Sequence, residues 1–171
     1  MSYPSPSVLV MDIRTVDYVH PDAVKLIAEV QQEYVERYGG PDATPVDPAD
    51  FVPPNGLFLV GYLDDVPIAC GSWRVATAEG LRSGDAELKR MYVTPSARGK
   101  GFSRDLLAEL ERTAFAAGRT RAVLETGTLQ PEAIALYRSS GYTGIPKFGI
   151  YRHTPESMCF AKELNGDLRT R

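Results

Sequence analysis

Metal and disulfide chemistry have little to work with in this chain, which carries two cysteines and two histidines among 171 residues. Cys70 and Cys159 sit in apolar stretches, outside any Cys-x-x-Cys or Cys/His spacing, and read as two buried reduced thiols. With His20 and His153 as the only imidazoles, a zinc site lacks ligands, and no metal is expected. No apolar run approaches the roughly 20 residues that span a bilayer. The run Val8, Leu9, Val10, Met11 is short, follows no basic residue and is broken by Asp12, so it does not read as a signal peptide. The expectation is a reducing, cytoplasmic location with no membrane partner. Basic residues are not in surplus either: 19 Lys and Arg face 22 Asp and Glu, a net charge of −3. That argues against nucleic acid as a partner.

What remains is an ordinary globular composition, 43% apolar and 24% charged, at a length that suits one domain spanning 1–171. Residues 1–7 and 165–171 read as loose ends. A first strand is expected at 8–13. From Pro21, the apolar residues Ala23, Ile27, Val30, Tyr34 and Tyr38 recur at helical spacing, and Gly39-Gly40 stops the helix. Residues 41–54 hold five prolines and three aspartates, so only a short helical turn near Ala49-Asp50-Phe51 fits there. A loop of that length is usually functional or mobile. Strands follow at 57–62 and 66–75, joined as a hairpin, and at 86–93. A helix at 101–117, a strand at 122–126, a helix at 131–139 ended by Gly141 and a last strand at 157–164 complete the order. This order predicts an α/β fold: a mixed sheet with helices on both faces.

The chemistry concentrates where the strand at 86–93 runs into a glycine turn and a helix begins. Glycines let backbone approach a ligand, and a helix N-terminus adds unpaired N–H donors at a positive dipole end. Together they suit phosphate oxygens. The Walker pattern fails because Gly101, not Ser or Thr, follows Lys100, and the dinucleotide fingerprint fails because Arg104 stands where its third glycine belongs.

Arg98-Gly99-Lys100-Gly101-Phe102-Ser103 resembles the Gln/Arg-x-x-Gly-x-Gly/Ala loop of the GNAT superfamily (GCN5-related N-acetyltransferases). Met91-Tyr92-Val93-Thr94-Pro95 before it matches that family's strand end. Some thirty residues on, Gln130-Pro131-Glu132-Ala133-Ile134-Ala135-Leu136-Tyr137 and then Gly141-Tyr142 resemble its Asn-x-x-Ala-x-x-Leu-Tyr helix and Gly-Phe/Tyr step. The resemblance covers about 87–142, with two departures: Ser103 replaces the last Gly/Ala, and Gln130 replaces Asn.

The resemblance implies a mostly antiparallel sheet of six to seven strands and transfer of acetyl from acetyl-CoA to a primary amine, here of a small molecule, by direct attack in a ternary complex. A protein or peptide acceptor and a non-catalytic acyl-CoA sensor are the alternatives, and homodimers are common in the family. Met91, Val93, Arg98, Gly99, Lys100, Gly101, Phe102, Ser103, Arg104 and Gln130 are then the cofactor-binding residues. Such transfer needs a deprotonated amine, an oxyanion stabiliser and a proton for the leaving thiolate. Tyr137 is the implied acid and Glu87 the implied base, with a water chain as the alternative base. A backbone N–H within 91–93 is the implied oxyanion donor. Strand parity places Glu87, Lys89, Met91 and Val93 on one face. Arg74, Lys89 and Arg90 either grip an acceptor carboxylate or pair with Glu87 and Glu125, and Glu125 is a candidate for holding an ammonium. The segment 146–151 and the loop around Phe51 fall where the family shapes its acceptor pocket.

Overall fold

The computed structural model describes residues 9–166; the loose ends expected at 1–7 and over most of 165–171 lie outside them. Seven strands form one sheet in the order β1-β2-β3-β4-β5-β7-β6. They are β1 (Asp12–Val16), β2 (Gly56–Leu63), β3 (Val66–Val75), β4 (Asp85–Val93), β5 (Arg121–Gly127), β6 (Thr143–Ile145) and β7 (Ser157–Glu163). Every neighbouring pair is antiparallel except β4 with β5. Three α-helices, α1 (Pro21–Tyr38), α2 (Phe102–Ala116) and α3 (Pro131–Ser139), pack on the sheet, and short 3-10 turns occupy Pro48–Phe51 and Pro95–Ala97. Among the described residues, no helix is long and apolar enough to cross a membrane.

The central strands are buried on both faces, which is why their sequences run apolar rather than alternating. On β2, Leu57 and Leu59 join the core under α2, whereas Phe58, Val60 and Tyr62 join the core under α1. The α1 face buries Ala23, Leu26 and Val30, leaving Ile27 and Tyr34 partly buried at its margin. Pro21 opens α1, the His20 ring accepts from the Asp22 amide at 3.1 Å, and left-handed Gly39 closes it. Phe102, Leu106, Leu110 and Ala114 form the buried stripe of α2, as their spacing predicts. Asp64 and Asp65 both take positive φ in the two-residue β2–β3 turn, the twist that short hairpins favour.

Two strands differ from expectation. The first runs from Asp12 to Val16, not over 8–13, because cross-strand pairing sets Asp12 against Tyr62 and Val16 against Phe58. Leu9 and Val10 stay exposed, so pairing overrides the local apolar run. Strand β6 was not anticipated; at three residues it shows no readable period.

The decisive feature is a fork. Parallel pairing of β4 with β5 covers only Asp85↔Arg121, Ala86↔Ala122 and Glu87↔Val123. Beyond Glu87 the two strands part, with β4 continuing to Val93 and β5 to Gly127. At the closed end Arg121 makes a buried bidentate pair with Asp85, Nε to Oδ1 at 2.7 Å and Nη2 to Oδ2 at 2.6 Å. Burial works to raise the Asp85 pKa, but the Arg121 hydrogen bonds and the Arg82 amide hold it below the usual value.

Replacing Arg121 by Ala strands that carboxylate in the interior and is expected to cost about 3–5 kcal/mol, read from the urea midpoint. A carboxyl with a depressed folded pKa stabilises fully above its unfolded pKa, near ~3.9, and loses this as pH falls through the folded value. Wild type and variant should therefore converge in stability on acidification; a gap independent of pH would exclude the ion pair as its source.

Candidate active site

A cleft of about 520 Å³ opens inside the fork. Leu88, Met91 and Leu124 come to it from the two strands, and Tyr34, Tyr38 and Tyr137 from the helices. Glu87, Glu125 and Gln130 line it as well. A second, wider cleft of about 830 Å³ lies beyond Glu87 and Glu125, which border both. The loop residues 44–47 and 148–150 wall this second space. At the rim of the first cleft the two loops meet, the Tyr151 hydroxyl accepting from the Ala43 amide at 2.7 Å.

Of the expected residues, Tyr137, Glu87, Met91 and Gln130 thus share one cleft. Tyr137 is buried, packs edge-on against Tyr142 with ring centroids 5.6 Å apart, and burial pushes its phenol pKa well up. Gln130 stands at the N-terminal boundary of α3, where its side chain makes no capping bond and instead accepts from the Tyr38 hydroxyl at 3.2 Å. Val93 and residues 98–104 line neither cleft; they follow where β4 ends, the Pro95–Ala97 turn intervenes and α2 begins. Gly99 and Gly101 take φ of +77° and +84°, and a Cβ built at either would meet no atom within 4 Å. The turn needs glycine for its backbone and leaves the space beside it open. No side chain caps the α2 N-terminus. Arg98 donates to the Val93 carbonyl and Glu33, both at 2.9 Å, while Arg104 donates to Ser139 and Ser140. Phe102 is buried in the core, and Lys100 and Ser103 flank the turn.

The parity argument for β4 is corrected by a bulge. Pairing passes from Ser72↔Lys89 to Cys70↔Tyr92, so Arg90 and Met91 together oppose Gly71, and Arg90 takes φ +61°. Glu87 bonds Arg74 and Lys89 bonds Asp42, whereas Met91 and Val93 pack with the α2 core. The four residues therefore divide between the two faces.

The cationic side chains are largely engaged. Arg74 donates Nε to Glu87 at 2.9 Å and Nη1 to Asp50 and the Pro45 carbonyl. Lys89 and Arg90 both reach Asp42, at 2.9 and 3.0 Å. Burial would raise the Asp42 carboxyl, but Lys89 and the Thr44 contacts bring it down to about 2. Glu125 is different: its one hydrogen bond among the described contacts comes from the neutral Ser157 hydroxyl at 3.1 Å. Burial lifts it to about 7 against the lowering effects of Ser157 and Lys89. In the loop around Phe51, Thr44 to Asp47 line the wider cleft, while Phe51 itself is a core residue stacked on Tyr18. Sequence reading missed Asp42, Tyr34, Tyr38 and Ser157; only the length of the 41–54 loop signalled the first of these.

Comparison with known proteins identifies the family and the fold. The acetyltransferase (GNAT) family matches residues 25–142. The chain is 36% identical over 141 residues to the IAA acetyltransferase of Azospirillum brasilense, covering 82% of this chain and 90% of that protein. An uncharacterized N-acetyltransferase of Escherichia coli K12 is 34% identical over 113 residues, 66% of each chain. Among solved structures, a Klebsiella pneumoniae protein provisionally described as an acyl-CoA N-acyltransferase superposes with a TM-score of 0.75, at 26% identity, over 92% of this chain and 99% of that one. A Salmonella typhimurium structure with acetyl-CoA shares the fold at a TM-score of 0.63 and 20% identity, over 91% of this chain and 95% of that one. The chain belongs to the GNAT acetyltransferase family. More particularly, it is an acyltransferase enzyme.

The Glu125 environment makes a direct prediction. Its carboxyl carbon should titrate near pH 7 by NMR, and Ser157→Ala should raise the midpoint by removing a hydrogen bond to the charged form. A carboxyl whose folded pKa is raised loses stability as pH climbs from the unfolded to the folded value. Glu125→Gln should accordingly melt above wild type at pH 8 and level with it at pH 4. A wild-type midpoint near the ordinary ~4.3 would show instead that water reaches the carboxylate freely.

Proposed function

We propose that this enzyme transfers an acetyl group from acetyl-CoA to the primary amine of a small molecule, with both substrates bound together. The observation that carries the reading is the convergence of Tyr137, the β4 bulge and Glu125 on one narrow cleft inside the fork. The Tyr151–Ala43 contact at its rim favours a small acceptor over a folded protein. Acetyl-CoA supplies the activated acetyl thioester.

The glycine turn fits its diphosphate. Backbone N–H groups around Gly99 and Gly101 and at the uncapped start of α2 would hold phosphate oxygens, with Lys100 and Ser103 beside them. Met91 and Val93 would lie along the pantetheine arm, and Gln130 at the α3 end of the cleft. In this reading an N–H of the bulged stretch faces the acetyl oxygen, and Tyr137 holds the proton destined for the departing sulfur. Its raised pKa keeps it protonated for that purpose.

The base role implied for Glu87 passes to Glu125 in this reading. Glu87 is tied to Arg74 at 2.9 Å, while Glu125 accepts from a neutral hydroxyl and burial lifts its pKa to about 7, in the range that suits a general base. Its carboxylate takes a proton from the acceptor ammonium, freeing the nitrogen lone pair. A peptide acceptor is the second reading, supported by the wider cleft that continues past the same two carboxylates.

Free-thiol release from acetyl-CoA should be followed against amines, amino acids, polyamines, peptides and IAA. Tyr137→Phe should lower kcat by roughly 10²–10⁴-fold and leave acetyl-CoA affinity nearly intact. Glu125→Gln should abolish the acidic limb of the kcat/KM profile near pH 7, and Glu87→Gln should keep it. A limb that survives Glu125→Gln would move the base role elsewhere. Acetyl-CoA binding with no release on any acceptor would favour a sensor.

A further inference from the structure

Asp42 lies in the proline-rich loop, yet its side chain is engaged with β4. One oxygen, Oδ2, accepts from Lys89 Nζ at 2.9 Å and from Arg90 Nη1 at 3.0 Å. The other, Oδ1, accepts from the Thr44 amide at 2.9 Å. Gln31 of α1 receives the Asp42 amide at 2.8 Å and donates to its carbonyl at 3.3 Å. Three of the carboxylate's contacts, and the helix beneath it, therefore fix one point of the loop.

Of the two cations it holds, Lys89 is the last residue paired before β4 departs from its ladder, and Arg90 is the first residue of the bulge. Arg90 is buried and occupies the left-handed region at φ +61°, an uncommon conformation for a residue with a long side chain. Such strain persists only where surrounding contacts determine it. From β3, Ser72 Oγ donates to the Lys89 carbonyl at 2.7 Å and Cys70 Sγ approaches the Arg90 carbonyl at 3.1 Å. Those contacts hold the backbone of the bulge from one side, and Asp42 holds its side chains from the other. Without Asp42, two like charges would face each other with side chains only 9% and 4% exposed.

We propose that Asp42 is a positioning residue: by drawing Lys89 and Arg90 onto one carboxylate, it sets the β4 bulge and ties the acceptor-side loop to the backbone that meets the thioester. The inference rests on the proposed reaction for its catalytic consequence, and on the geometry alone for its structural one.

The test uses Asp42→Asn in the full chain, with kinetics at saturating acetyl-CoA and acceptor and ¹⁵N amide spectra of the unliganded protein. Displacing the bulge should lower kcat by roughly 10²-fold, change KM for acetyl-CoA little, and shift the Arg90, Met91 and Tyr92 amides. The double variant Asp42→Asn/Lys89→Gln restores charge balance without restoring the pull on Arg90. It should recover melting temperature but not kcat. Recovery of both together would reduce Asp42 to a stabilising charge and overturn the proposal. So would unmoved amides at residues 90–92 in the single variant. An inactive wild type would instead defeat the reaction reading, with the amide shifts still deciding whether Asp42 sets the bulge.

Discussion

Everything at the site depends on β4 and β5 being held together at one end and free at the other. Three paired residues and the buried Asp85–Arg121 fork of hydrogen bonds close the apex. Beyond it, no ladder is satisfied between the two strands, and the space is lined by side chains and helices instead. An opened parallel pair is costly where its backbone groups are buried without partners. At the bulge, on the β3 side, the Lys89 and Arg90 carbonyls accept from Ser72 Oγ and Cys70 Sγ and so keep partners where the ladder is interrupted. The cleft is thus a consequence of sheet geometry, with α1 and α3 supplying its tyrosine walls.

Charge is distributed inside this space by pairing. Arg74 takes Glu87 and Asp50, Asp42 takes Lys89 and Arg90, and Glu125 is left with a hydroxyl. Two glutamates bordering the same cleft therefore have different electrostatic surroundings. One is held by a guanidinium across the ladder; the other pays a desolvation penalty that a neutral hydrogen bond only partly offsets. That asymmetry is the physical basis for giving them different roles.

Much of this is legible in the sequence where chemistry is local. Gly99 and Gly101, the proline at the start of α1 and α3, and the α2 stripe announce their elements because near neighbours dictate their backbone. Tyr137 is placed on a helix by local spacing, and its proposed role comes from the resemblance of that helix to the family's. The faces of β4 are not legible: no glycine marks the bulge in Leu88-Lys89-Arg90-Met91-Tyr92, and one inserted residue reverses parity beyond it. Glu87 and Glu125 look alike in sequence, and only the cross-strand register Arg74↔Glu87 separates them. Asp42 is hidden for the same reason, since its partners lie 47 and 48 residues away.

The 41–54 loop has two unrelated anchorages. Phe51 is sunk in the core against Tyr18 and Phe58, and Asp42 is moored on β4. The stretch between them, with Thr44 to Asp47 along the wider cleft, is fastened at both ends by residues that do not line that cleft's wall together. Changing the length of a span already pinned at its ends alters closure entropy only slowly. The span is not insulated from the sheet, however, because Arg74 of β3 also donates to the Pro45 carbonyl and to Asp50. A change that reshapes the wider cleft from this loop is therefore felt at Glu87 as well, through the one guanidinium the two share.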